Sequence, residues 1–438
     1  MTLAATESIL PARARLGVPD IRTLGLAALG GALEFYDFVV FVFFAIPLGH
    51  LFFPKDTSPW LAQVQVYGIF AAGYLARPIG GVVMAHYGDK LGRKRMFTLS
   101  VFLMALPTLG IGLLPVYAQI GMFAPWLLLL LRVVQGIAVG GEVPGAWVFV
   151  AEHVPPQRIG FACASLTSGL TVGILIGSLV AAAINRGLAP AEVLDWGWRL
   201  PFLVGGMFGF LAVWLRRWLS ETPVFEAMHA RRELASGLPL RLVFERHTPS
   251  VLLSMLVTWM LTAAIVVIIL MTPSLVQSIF HIEPARAFLG NNVASFALAI
   301  GCLFYGWLAD RIGHARALLP GAIGLLTCSY ALYFDLRAGG AHFVALYALA
   351  GFSVGVVGVV PALMVAAFPP AVRFSGLSFS YNIAYALFGG LTPPMIGLLV
   401  QRFGVLAPAH YVAFTAVIGI GVAFWSMATG SGHRDSHR

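Results

Sequence analysis

Charge is scarce in this sequence. Only 10% of its 438 residues are Asp, Glu, Lys or Arg, against roughly 25% in soluble globular domains. Cysteine is scarcer still. Cys163, Cys302 and Cys328 all lie within apolar runs, and an odd set so placed supports neither a disulfide framework nor Cys/His metal spacing. The chain has no P-loop and no His-Glu-x-x-His pair, so neither an ATP-driven pump nor a zinc hydrolase is expected. No cofactor is expected either. The run Gly351-Phe352-Ser353-Val354-Gly355 spells a nucleophile elbow, but it falls inside an apolar segment and not at a strand-to-helix turn. Enzymatic activity is not expected.

Hydrocarbon takes the place of charge. Apolar residues make up 59% of the chain, and its mean hydropathy is +0.88. Two or three soluble domains of this total size would need far more polar surface, so the sequence reads as an integral membrane protein. Its 27 Lys and Arg exceed its 18 Asp and Glu, a net charge of +9. In a soluble chain that excess suggests nucleic acid; in a membrane chain it reflects basic residues retained on cytoplasmic loops, and no nucleic-acid partner is expected. The first residues lack the apolar core of a signal peptide, so the first hydrophobic segment is expected to stay as an anchor.

A helix needs about 20 apolar residues to cross a bilayer. Twelve such segments can be marked, near 22–50, 60–87, 96–115, 121–151, 159–185, 199–219, 249–279, 286–309, 315–335, 342–368, 374–401 and 407–428. With both termini in the cytoplasm, 19 Lys and Arg fall inside and six outside, the bias expected of a multi-pass bacterial inner-membrane protein. Residues 220–248 are charged and divide the chain almost equally. The expected architecture is therefore all-α: a six-helix bundle over 1–219, a cytoplasmic loop over 220–248 and a pseudo-symmetric six-helix bundle over 249–438.

The halves also repeat in sequence. Asp89, Lys90 and Gly92 after the second segment correspond to Asp310, Arg311 and Gly313 after the eighth, each at an offset of 221 residues. Arg158-Ile159-Gly160 is echoed more weakly by Arg373 and Gly376. A fixed offset of about half the chain marks a duplicated helical bundle.

The loop from Ala85 through Asp89, Lys90, Gly92, Arg93, Lys94 and Arg95 resembles the signature loop of the major facilitator superfamily, with Ala85 in place of its first glycine. Within that superfamily, other runs resemble the metabolite:proton symporters. These are Glu34-Phe35-Tyr36-Asp37-Phe38, Ala76-Arg77-Pro78, Arg132 to Gln135 with Gly140-Gly141-Glu142, Trp198-Arg199, Glu221-Thr222-Pro223, and Phe388-Gly389-Gly390 with Pro393. The resemblance spans nearly the whole chain. It implies twelve helices, alternating access, and proton-coupled movement of citrate, 2-oxoglutarate, shikimate, related carboxylates, proline or betaine.

Ionisable residues inside the spans argue independently for function. Each costs about 2.5–3.5 kcal/mol on insertion scales, so each needs a partner or a task. Glu34, Asp37, Arg77, Arg132 and Glu142 all lie at depth in the first half. Asp37 is expected to carry the proton with Arg132 as counter-charge, an assignment the resemblance supports; Glu34 and Glu142 are the other acids available. Arg77 or Arg132 is expected to grip a substrate carboxylate, with Gln135, Tyr36 and Glu142 nearby. Trp259, Tyr381, Asn382 and Tyr385 are expected to face the substrate from the second half. The alternative for this set is a polar network that only fixes helix packing. A cytoplasmic gate is expected from Asp89, Gly92, Arg93, Glu152, Glu221, Asp310 and Arg311, Asp89 facing the start of the eleventh helix.

The small residues Ser165, Gly169, Gly173, Gly177 and Ala181 recur every fourth position on the fifth segment, as close helix packing requires. That segment lacks the Gly-Pro pair usual in proton-driven exporters of the superfamily. Two basic residues at depth favour an anion, so the leading expectation is proton-coupled symport of a small organic acid by a monomer in the lipid bilayer. Export of a metabolite or siderophore-like compound, or import of a zwitterionic osmolyte, is the alternative.

Overall fold

The computed structural model describes residues 18–91, 93–140, 143–216, 243, 245 and 247–429. Gly92, Glu142 and Glu221 lie outside the described residues, and the side chains of Glu34, Asp89, Arg93 and Glu152 are likewise not described. The described chain is helical. Its first half comprises α1 (Val18–Phe43), α2 (Ala45–Phe52), α3 (Pro59–Leu91), α4 (Arg93–Leu113), α5 (Phe123–Val139), α6 (Val143–His153), α7 (Ile159–Gly187) and α8 (Leu200–Arg216). Its second half runs through α9 (Thr248–Ala263), a π-helical stretch Ala264–Met271 and α10 (Thr272–Phe280) to α11 (Pro284–Ile312) and α12 (His314–Arg337). Then come α13 (Phe343–Val354), α14 (Val360–Ala367), α15 (Pro370–Ala384), a second π stretch Tyr385–Gly390, α16 (Leu391–Phe403) and α17 (Ala407–Thr429).

Among the described residues, eight helices are long and apolar enough to cross a membrane, or nine when the bent pair Gly31–Phe43 and Ala45–Phe52 is taken as one span. Twelve were expected. The three expected segments not counted, near 60–87, 96–115 and 199–219, each include positions outside those fully described. The 60° bend between α1 and α2 has a local cause: Pro47, three residues into α2, has no N–H to bond back across the junction.

Helix pairing is the same in both halves. α1 packs on α7, α3 on α5 and α4 on α8; correspondingly α9 packs on α15, α11 on α13 and α12 on α17. The halves meet where α7 lies along α11, and where α3 lies along the second π stretch and α16. Glycine makes the tightest of these contacts possible. A Cβ at Gly136 would collide with the carbonyl oxygen of Gly73, and one at Gly351 with that of Ala294. A Cβ at Gly80 would strike the Ile137 carbonyl, and one at Gly301 the Phe352 carbonyl. These are the same contacts in the two halves, at offsets of 221 residues on one helix and 215 on the other. The duplication seen at Asp89 and Asp310 therefore extends into the packing itself.

Candidate functional site

A cavity lies between the halves, lined by Phe35, Trp147, Thr167, Leu170, Thr171, Ile174, Leu261, Ile265, Val357, Tyr381 and Tyr385. The local helix geometry explains who reaches it. On α7, the small-residue stripe serves α1, since a Cβ added at Gly169 would meet Ala28 and one at Gly173 would meet Ala32. The neighbouring face, with Thr167, Leu170, Thr171 and Ile174, is left to the cavity. On the other side, Tyr381 and Tyr385 are one turn apart, with ring centroids 4.6 Å from each other, and Trp147 meets Tyr381 edge-on at 4.9 Å.

Arg77 stands against this aromatic wall. Its Cζ lies 4.3 Å from the centroid of Tyr385, 5.4 Å from Tyr381 and 5.5 Å from Tyr74. The side chain is only 1% exposed. Its Nε and Nη2 have no hydrogen-bond partner among the described residues, nor does the Trp147 indole nitrogen. Buried N–H groups without acceptors cost about 1–3 kcal/mol each, so these donors can take a further acceptor. Asn382 borders the same region: its Nδ2 donates to the Gly140 carbonyl at 2.6 Å, while its Oδ1 has no partner.

Arg132 is placed differently from the expectation. It is fully buried between α1, α3 and α5, with Cζ 4.4 Å from Phe38, 4.4 Å from Phe41 and 5.1 Å from Phe70. Its Nη1 donates to Gln135 Oε1 at 2.7 Å, Gln135 Nε2 donates to Thr108 Oγ1 at 2.6 Å, and Thr108 donates to the Met104 carbonyl. Neither Arg132 nor Gln135 touches the cavity. Asp37, 1% exposed, lies across α1 from the cavity residue Phe35: two residues on is about 200° of helical rotation. Its carboxyl faces Gly205 and Gly209 of α8, beside Thr108, and Oδ1 has no hydrogen-bond partner. Among the described residues no ion pair joins Asp37 to Arg132, so the expected direct pair is corrected to two neighbouring buried groups in the first half.

Two aromatic assignments are also corrected. The Tyr36 hydroxyl donates to the Pro201 carbonyl at 2.8 Å and its ring meets Phe208, which ties α1 to α8. Trp259 stacks on Phe388 at 4.2 Å and donates its indole N–H to Tyr411 at 2.9 Å. Both make these contacts within their own half. Sequence reasoning passed over Phe35, Tyr74 and Trp147, because an aromatic residue in an apolar helix carries no mark of its neighbours. Thr167 and Thr171 did carry one: they sit beside the glycine stripe at i,i+4 spacing, on a face the stripe does not use.

Hydrogen bonds join the halves near both ends of their helices. At one end Gln63 donates to Tyr67 at 2.8 Å, Tyr67 shares a 2.6 Å hydrogen bond with Ser274, Ser278 donates to Gln63 at 2.8 Å, and Asn291 donates to Ser178 at 2.9 Å. At the other end Asp310 accepts the Phe161 N–H at 3.2 Å, capping the positive start of α7. Gly160 permits that approach, since a Cβ there would come within 2.6 Å of Asp310 Oδ1. Arg311 does not cross the interface: it is exposed and lies 4.3 Å over its own helix's Trp307. Tyr67→Phe is expected to loosen the first end. Losing hydrogen bonds worth about 0.5–1.5 kcal/mol each should raise the labelling rate of an Ile174→Cys cavity probe several-fold; an unchanged rate would show that Tyr67 latches nothing.

The sequence profile of the Major Facilitator Superfamily matches residues 27–381. The chain is 32% identical over 414 residues to a glycine betaine/proline/ectoine/pipecolic acid transporter of Dickeya dadantii, covering 91% of this chain and 81% of that one. It is 32% identical over 415 residues to a proline/betaine transporter of Escherichia coli K12, covering 91% and 82%. Its fold matches the proton:xylose symporter XylE bound to 6-bromo-6-deoxy-D-glucose, with TM-score 0.75, 18% identity and coverage of 93% and 95%. A partially occluded inward-open form of the xylose transporter from E. coli matches equally well, with TM-score 0.75, 16% identity and coverage of 96% and 99%. The protein is thus a multi-pass transporter of the bacterial inner membrane and not an enzyme, and the chain belongs to the major facilitator superfamily.

Proposed function

We propose that the chain imports a zwitterionic osmolyte of the proline or betaine kind, coupled to protons. It would do so by rocking two six-helix halves, 1–219 and 249–438, about the central cavity, with twelve crossings, both termini and the 220–248 loop cytoplasmic, and one chain as the working unit. One observation carries the choice of substrate: among the described residues the lining of the cavity has no formal charge, and one cation, Arg77, backs its tyrosine wall. A di- or tricarboxylate buried there would leave negative charge uncompensated, at a cost of several kcal/mol per ion. A zwitterion brings its own counter-charge. Its carboxylate suits the unpartnered donors of Arg77 and Trp147, and its ammonium suits aromatic faces. The relatives' names point the same way, so the organic-acid expectation gives way to this reading. Its error was to count Arg132 as a second cation at the site.

For the proton we propose Asp37. It is buried and lacks an ion-pair partner among the described residues, and its helix also carries Phe35 into the cavity. Protonation there would thus be sensed at the substrate through α1. Proteoliposomes with an acid-outside gradient test the whole reading. Labelled glycine betaine or proline should accumulate above the no-gradient level, with citrate and 2-oxoglutarate at background. Uptake of citrate in preference to betaine would overturn it.

A further inference from the structure

The aromatic faces bordering the cavity already hold a cation. Arg77 is packed among Tyr74, Tyr381 and Tyr385 at 5.5, 5.4 and 4.3 Å. Tyr381 and Tyr385 line the cavity, while Tyr74 and Arg77 do not. The two shared rings therefore see the cavity and the guanidinium together. Guanidinium and substituted ammonium ions are attracted to tyrosine by the same ring quadrupole, and two like charges on one set of rings repel. With Nε and Nη2 lacking acceptors among the described residues, the rings are the main hold on this side chain that the structure records.

We propose that Arg77 is a resident stand-in for the substrate's ammonium. Its guanidinium fills the tyrosine ring set until the ammonium of an entering zwitterion takes those faces. The displaced guanidinium then turns its N–H groups to the carboxylate of the same molecule. Recognition of the two ends is thereby linked. A ligand with an ammonium but no carboxylate displaces Arg77 without giving it an acceptor, and binds poorly for that reason. This inference rests on the zwitterion reading above and adds a selection rule to it: the site rejects simple quaternary ammonium ions through Arg77.

Calorimetric titration of the purified full-length chain in detergent tests it, with glycine betaine, proline and choline as ligands. Wild type is expected to prefer betaine to choline. Arg77→Gln should reverse that order, tightening choline about tenfold, equivalent to about 1.4 kcal/mol, and weakening betaine. Adding Tyr385→Leu should remove the choline gain. Choline binding unchanged in Arg77→Gln, or a gain that survives Tyr385→Leu, overturns the proposal. Should Arg77→Gln fail to fold, Tyr74→Leu decides: it loosens the ring set around Arg77 without altering the cavity lining, and is expected to tighten both betaine and choline several-fold. No change there also overturns it. The two readings separate cleanly. A wild type that binds neither betaine nor proline sinks the zwitterion function, whereas one that binds betaine and gains nothing for choline in Arg77→Gln sinks only the stand-in role.

Discussion

Asp37→Asn is expected to abolish gradient-driven accumulation while leaving exchange of labelled for unlabelled substrate intact. Asparagine keeps the size and shape of a protonated aspartate and removes the proton equilibrium. At this site the equilibrium is costly to disturb. The side chain is 1% exposed, it faces Gly205 and Gly209, and the nearby guanidinium of Arg132 is engaged by Gln135 and three phenylalanine rings. A charge at such depth costs about 2.5–3.5 kcal/mol, roughly a hundredfold in an equilibrium. Accumulation driven by an acid-outside gradient is expected to fall to the no-gradient level. Wild-type uptake should rise as external pH falls, and the variant should show a flat profile. Accumulation by Asp37→Asn that still follows the gradient would move the proton role to Glu34 or Glu142.

Gly136→Ala is expected to cost the fold rather than the activity. The added methyl would meet the carbonyl oxygen, carbonyl carbon and Cα of Gly73, all backbone, so no rotamer change relieves it. Either α3 and α5 separate or the local helix distorts. Overpacking of this kind costs about 1–3 kcal/mol where side chains can move and more where they cannot. The expected result is little monodisperse protein, with a lowered thermal transition in what remains. Gly351→Ala should behave alike, because it meets the Ala294 backbone in the same way. Gly68→Ala is the control. Nothing lies within 4 Å of a Cβ there, and alanine favours the helix by up to about 1 kcal/mol. A Gly136→Ala chain as stable as Gly68→Ala would refute the close approach.

Much of the architecture was written in composition and spacing. Long apolar runs announce membrane helices because lipid offers no hydrogen bonds to an open backbone, and the 221-residue echo of Asp89 in Asp310 announces the duplication. Helix rotation was not legible. Residues 34–38 read as one acidic and aromatic motif, but on a helix they point in different directions: Phe35 to the cavity, Tyr36 and Asp37 to α8. The same blindness made Arg77 and Arg132 look like two cations in one site. Their depth is similar, and only the packing shows Arg132 inside the first half and Arg77 at the seam. Tyr381 and Tyr385 were found because their i,i+4 spacing already fixes a shared face. Trp259 was not excluded because its partner Tyr411 is 152 residues away.

The π stretch Tyr385–Gly390 begins at a cavity residue and ends where α16 begins. A π turn usually holds one residue more than the α turn it replaces. Each residue of a helix is worth about 100° of rotation, so the count between 385 and 390 sets which side of α16 meets α3. Thr392 reaches Tyr411, and Gly397 clears Val64, only at the present count. Part of the packing of α16 against α3 is thus encoded in number and not in kind. A relative that retains every one of these side chains but is one residue shorter here is a different machine, and comparison of the two sequences must open a gap inside a helix to reveal it.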